Sequence, residues 1–155
     1  MGYKSFEELD CWKKAREVRL FFEALIRKLP DSEKTDLIYN IRRAARSATR
    51  NIAEGYGRFH YQERIQFCRH SRGSQQELLD DLITCHDNLY MTDLEYQNGK
   101  KLLSDSIGLV NGYINYLERV KEKDNVKEAL LERIFLHFSR SLASTVCIST
   151  FIPRP

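Results

Sequence analysis

The seventeen residues from Arg42 to Arg58 constrain the fold more than any other stretch, because they hold five arginines and four alanines against a single acid, Glu54. On a helix turning roughly 100° per residue, Leu37, Ile41, Ala44, Ala45, Ala48 and Ile52 share one face. Arg42, Arg43, Arg46 and Arg50 fall on an arc of similar width that points about the opposite way. Alanine lets a neighbouring backbone come close, so the first face is built to pack against other helices. The second face has no carboxylate of its own, and four guanidinium groups in a row call for an anion from elsewhere.

The same imbalance extends outward. From Lys34 to Ser74 there are nine Lys/Arg and three acids, an excess of six in a chain whose net charge is only +3. The remainder is therefore net negative, the pattern of a protein with one basic surface. At 155 residues, with 42% hydrophobic and 30% charged side chains, the chain is expected to bury a single globular core. The N-terminus has no signal-peptide run, and no segment reaches the ~20 apolar residues of a membrane span. A cytoplasmic protein that does not engage membranes is the expectation. Cysteines 11, 68, 85 and 147 form no CxxC pair, so neither a disulfide nor a zinc site is expected.

Apolar residues at helical spacing recur along nearly the whole chain. A first helix is predicted from Phe6 to Leu29, ended by Pro30, and a second from Glu33 to Glu54. Gly55-Tyr56-Gly57 is expected to stop the second helix, with glycine as a left-handed cap. A third helix is predicted from Tyr61 to Tyr90, with Gly73 at a close approach of another helix. Thr92-Asp93-Leu94-Glu95 is a capping box opening a fourth helix to Lys123, made tolerant of distortion by Gly99, Gly108 and Gly112. Asp124-Asn125 is expected to interrupt it, and a fifth helix to follow from Val126 to Phe138 or Leu142. The pattern predicts an all-α, antiparallel up-down-up-down four-helix bundle over residues 1–123. Residues 124–155 are expected to be a C-terminal extension, a short helix plus an apolar tail that is either disordered, adds a helical turn or docks on a partner, and in which Ser144 to Ile152 is an aggregation hazard if exposed.

Four groups of residues have both a functional and a structural explanation. The Arg42/Arg43/Arg46/Arg50 row fits phosphates; it fits equally the acids Glu77, Asp80 and Asp81, or solvent. Arg58, with Tyr56, Phe59, His60 and Tyr61 beside it, forms a basic and aromatic loop whose rings stack unpaired bases, unless Tyr56 and Phe59 plug the end of the bundle. Arg72 falls on the buried side of its helix and needs a partner; Glu54 is expected to pair with it, Glu77 being second choice. His86 is expected to be a satisfied core histidine. Glu54, Glu77 and Asp81 would be the carboxylates of a metal site, but the Glu-x-x-His motif of such sites is missing. No nucleophile motif or phosphate-binding glycine loop is present, so no cofactor, metal or catalytic residue is expected.

Several of these residues also carry a resemblance. Leu9-x-x-Trp12-x-x-Ala15, Ile41-Arg42-Arg43-Ala44, the run from Asn51 to Arg58, and Arg72-Gly73-Ser74-x-x-Glu77-Leu78 resemble the bacterial four-helix-bundle proteins encoded in intervening sequences of 23S rRNA genes. The resemblance covers about residues 4–121 and does not extend to residues 124–155. It implies an antiparallel bundle assembled into a ring-shaped homopentamer with a basic surface. A related branch, the accessory proteins of diversity-generating retroelements, binds nucleic acid and a reverse transcriptase. The expectation is a non-enzymatic, homo-oligomeric nucleic-acid-binding protein using Arg42, Arg43, Arg46 and Arg50, with Arg58 at the rim. RNA is favoured and DNA possible as the polymer. The alternative is a scaffold docking an acidic partner such as a reverse transcriptase.

Overall fold

The computed structural model describes residues 5–146, with side chains to Arg133. It is all-helical among the described residues. A 3-10 turn at Phe6–Glu8 leads into helix α1, Asp10–Leu25, and a second 3-10 turn at Asp31–Glu33 precedes α2, Leu37–Tyr56. Helix α3 covers Tyr61–Asp87 and α4 Asp93–Val146.

The four helices form a bundle whose cross-helix contacts set the register. Between α2 and α3, Arg43 meets Glu77 at 3.1 Å, Ser47 meets Ser74 at 2.8 Å, and the Ser71 hydroxyl donates to the Ala48 carbonyl at 2.7 Å. Residue numbers rise along one helix as they fall along the other. The hydroxyl reaches a main-chain carbonyl because Ala44, Ala45 and Ala48, all buried, keep that side of α2 thin. Between α3 and α4, Arg69 pairs with Glu118 and Arg72 donates to Asn111. Phe21 of α1 lies against Gly99 of α4, and Lys28, in the turn after α1, pairs with Glu95 of α4.

Two apolar clusters fill the interior. One gathers Phe22, Leu25, Ile41, Leu78, Leu82 and Leu103; the other gathers Leu9, Ala15, Ile52, Ile65, Val110 and Leu117. The free thiols of Cys11, Cys68 and Cys85 are buried, and burial pushes them up to about 12, 11 and 12 respectively. They behave as small hydrophobes.

The ends of the helices differ from expectation in ways with clear causes. Helix α1 stops at Leu25, since Arg27 and Lys28 bond back to carbonyls three residues earlier, tightening the chain before Pro30. Helix α2 begins at Leu37 and runs through Gly55 to Tyr56. No described glycine has positive φ, so Gly55 is not a left-handed cap. A Cβ there would lie 2.8 Å from Phe67 Cβ and 3.3 Å from the Arg64 carbonyl oxygen; its role is to let α3 approach. Gly73, by contrast, is exposed with nothing within 4 Å, so the close approach falls on its neighbours Ser71 and Ser74.

At the other end of α3 the left-handed residue is Leu89, with φ 60°. Tyr90 N–H donates to the Cys85 carbonyl and Leu89 N–H to that of His86, the Schellman arrangement. The capping box at Thr92 forms as expected. Thr92 N–H donates to Glu95 Oε2 at 2.9 Å and Glu95 N–H to the Thr92 hydroxyl at 3.3 Å.

Asp124-Asn125 does not interrupt α4, which is continuous to Val146. Both residues are mediocre helix formers rather than breakers, each costing well under ~1 kcal/mol relative to alanine, and Lys and Glu surround them. The chain divides into two compact units after Glu118. In the second, the described side chains from Glu122 to Arg133 are all exposed. The tail from residue 147 on, with Cys147, lies outside the described residues.

Candidate nucleic-acid interface

The thin side of α2 is turned inward, which points its other side outward. Arg42, Arg43, Arg46 and Arg50 are all exposed, but they are not equivalent. Arg43 lies at the α3 edge, where its guanidinium reaches Glu77 at 3.1 Å, with both side chains about half exposed. Arg42, Arg46 and Arg50 form no ion pair with any described residue. Spaced four residues apart, they lie on one line with about 6 Å between successive Cα positions along the axis. A further cation from α1 joins this side. Arg19, half-buried, approaches the Thr49 hydroxyl at 3.4 Å and Glu23 at 3.7 Å. Its position depends on the α1–α2 register, which no local pattern reveals.

Tyr39 belongs to no motif in the sequence, yet the fold leaves it on this side. It stands three residues before Arg42 on the same outward face, is 58% exposed, and makes no hydrogen bond or ring contact with described residues. The four-residue spacing of the arginines leads to the buried Ile38, and only a three-residue step back from Arg42 reaches Tyr39.

The loop after α2 separates its aromatic residues into two roles. Tyr56 and Tyr61 pack against the second apolar cluster, and the Arg64 guanidinium lies 5.9 and 5.8 Å from their ring centres. Arg64 Nε also donates to the Arg58 carbonyl at 2.7 Å, and Arg58 N–H to that of Gly55. The loop backbone is thus tied at both ends. Phe59 is 88% exposed, its ring edge-on to His60. The expected plug of Tyr56 and Phe59 is thus half corrected: Tyr56 and Tyr61 close the bundle, while Phe59 stands in solvent.

Arg58 is engaged within the chain. It bonds Glu54 at 2.7 Å and stacks 4.9 Å over the Phe67 ring. The expected Arg72–Glu54 pair is therefore corrected on both sides. Glu54, one helical turn before Arg58, is held by it, and Arg72 faces α4, where it donates to Asn111 Oδ1 at 2.9 Å. Arg72 sits beside Ser71, level with Ala48, well up α2 from Glu54. The same spacing separates Glu54 from Glu77. Glu77 pairs with Arg43, eleven residues or about 16 Å along α2 from Glu54. Among the described residues no cluster of His, Cys, Asp or Glu is placed to hold a metal.

The acidic residues gather instead at the N-terminal end of α2. Asp81, half-buried, is pushed up to about 6 by loss of solvent and by Asp80 and Glu77 beside it, with Arg43 opposing and Asp36 adding to the rise. His86 is satisfied, though at the end of the bundle rather than in its core. It bonds Asp93 at 2.7 Å and stacks on Tyr96 at 4.3 Å.

These features define a small all-helical bundle with an outward row of arginines on its second helix. The chain belongs to the family of 23S rRNA-intervening sequence proteins, whose family model matches residues 7–112. Comparison with curated proteins returned no match. Among the described residues no helix is long and apolar enough to cross a membrane.

Proposed function

We propose that this protein binds nucleic acid without catalysing a reaction, holding phosphates on the outer face of α2. The observation that carries the reading is the row Arg42, Arg46, Arg50, exposed, collinear and free of ion pairs among the described residues. Guanidinium forks match phosphate oxygens two at a time, and a regular row suits a polymer of regularly spaced charges. Arg43 is a fourth contact, since an exposed pair such as Arg43–Glu77 contributes little and exchanges readily. Arg58 is held more firmly, by Glu54 and Phe67, and serves at the rim by shaping the loop. Contacts of this kind position a backbone without reading sequence. RNA is the favoured polymer, DNA the second, and the compartment the cytoplasm. Assembly into the homopentamer that the family resemblance implies would repeat the row around a ring and multiply a weak contact by avidity. Light scattering of the purified protein tests that assembly.

The main test is binding to a structured RNA and to duplex DNA across a salt series, for the wild type and for a variant with Arg42, Arg46 and Arg50 changed to glutamine. Four phosphate contacts per protomer predict an affinity loss of about 50- to 150-fold between 50 and 200 mM salt. The variant should bind weakly with a flattened slope. A folded wild-type protein that binds neither polymer at low salt would refute the reading.

That outcome would favour a second reading, a scaffold docking an acidic protein such as a reverse transcriptase. Its supporting observation is that carboxylates already hold two guanidiniums of this region, Arg43 by Glu77 and Arg58 by Glu54.

A further inference from the structure

Along the chain the arginine row is flanked by two aromatic side chains that the fold has left in water, one a turn before it and one in the loop that follows α2. Tyr39 precedes Arg42 by three residues on the outward face of α2, and its neighbours Ile38 and Ile41 are buried while it is 58% exposed. Phe59 follows the C-terminal end of the same helix and is 88% exposed. Its exposure is not the slackness of an untethered loop. Arg64 fixes the Arg58 carbonyl at 2.7 Å, and the Arg58 guanidinium is clamped between Glu54 and the Phe67 ring. Within the same turn Tyr56 and Tyr61 find apolar cover, whereas the ring between them in sequence points away from the core.

Proteins that hold single strands combine cations following the backbone with aromatic rings on which unpaired bases stack. A duplex hides its base faces in its own stack and offers only phosphates and groove edges. From this we infer that Tyr39 and Phe59 are base-stacking positions, and that the outer face of α2 selects unpaired over duplex nucleic acid. The inference rests on the phosphate-binding reading of Arg42, Arg46 and Arg50 and adds the polymer's strandedness to it. Cations alone would hold both forms. Two exposed rings, Tyr39 on the face of the row and Phe59 in the loop past the end of α2, bind only a strand long enough to span both and with bases free to turn toward the protein.

The experiment uses the full chain with a fluorescein-labelled oligouridylate of fifteen nucleotides and a duplex RNA of equal length. Tyr39→Ala and Phe59→Ala are each expected to weaken oligouridylate binding roughly 5- to 100-fold. Duplex affinity and the salt slope should stay unchanged, because no phosphate contact is lost. Tyr39→Phe and Phe59→Tyr should retain wild-type affinity, since each keeps a stacking ring. Both positions are exposed, and circular dichroism checks that every variant is folded.

Equal weakening on both probes, or no weakening on either while the wild type binds, would overturn the stacking assignment and leave the arginine row standing. An effect at one position alone would overturn the assignment at the other. Absence of wild-type binding to both probes would overturn the row and the rings together. Polyglutamate competing as effectively as oligouridylate would overturn the nucleic-acid selectivity in favour of an acidic protein.

Discussion

Replacing Gly55 and Gly73 by alanine, one at a time, tests how α2 and α3 are packed. Both glycines are helical, so each substitution gains about 1 kcal/mol from helix propensity and reduced freedom of the unfolded chain. At Gly73 nothing lies within 4 Å of the new methyl group, and the whole gain should appear as added stability. At Gly55 the methyl would sit 2.8 Å from Phe67 Cβ and 3.3 Å from the Arg64 carbonyl oxygen. Both neighbours are fixed to the α3 backbone, so no side-chain rotation relieves the clash and the helices must separate. Overpacking of this kind costs ~1–3 kcal/mol. Offset by the propensity gain, Gly55→Ala should be destabilising by about 1 kcal/mol, leaving the two variants roughly 2 kcal/mol apart. Urea titrations followed by circular dichroism measure the difference, and the melting temperatures should separate by about 4–8 °C. A Gly55→Ala variant as stable as Gly73→Ala would refute the close approach.

Two further substitutions probe charges that the fold has displaced. Asp81→Asn should stabilise the protein at pH 7. Its carboxyl is raised from 3.8 to about 6, so the folded state favours the proton, and the stability it confers is full below about pH 4 and lost as pH rises through 6. Two units correspond to about 3 kcal/mol at most; solvent screening at a half-exposed site reduces this to about 1 kcal/mol. The gain in melting temperature should therefore vanish near pH 4, and a gain independent of pH would contradict the assignment. For Arg72, a double-mutant cycle with Asn111→Ala should show coupling of about 1 kcal/mol, whereas Arg72→Ala and Glu54→Ala should add independently. Coupling to Glu54 instead would reinstate the pair that the structure rejects.

Much of this protein is legible in its residue order, because helical periodicity is a local property. The spacing of Leu37, Ile41, Ala44, Ala48 and Ile52 places them on one face whatever lies opposite, and it sends Arg42, Arg46 and Arg50 outward by the same geometry. The capping box at Thr92 is equally local, closing within four residues. Partner choice between helices is not local. Whether Arg72 meets Glu54 or Asn111, and whether Arg43 is free or held by Glu77, depends on a register summed over two whole interfaces. The same register decides that Gly55, rather than Gly73, stands where the backbones nearly touch. Phe59 and Tyr56 show the limit most clearly. Three residues apart and both aromatic, they are indistinguishable by composition, and only the packed end of the bundle decides that one ring is covered and the other left in water.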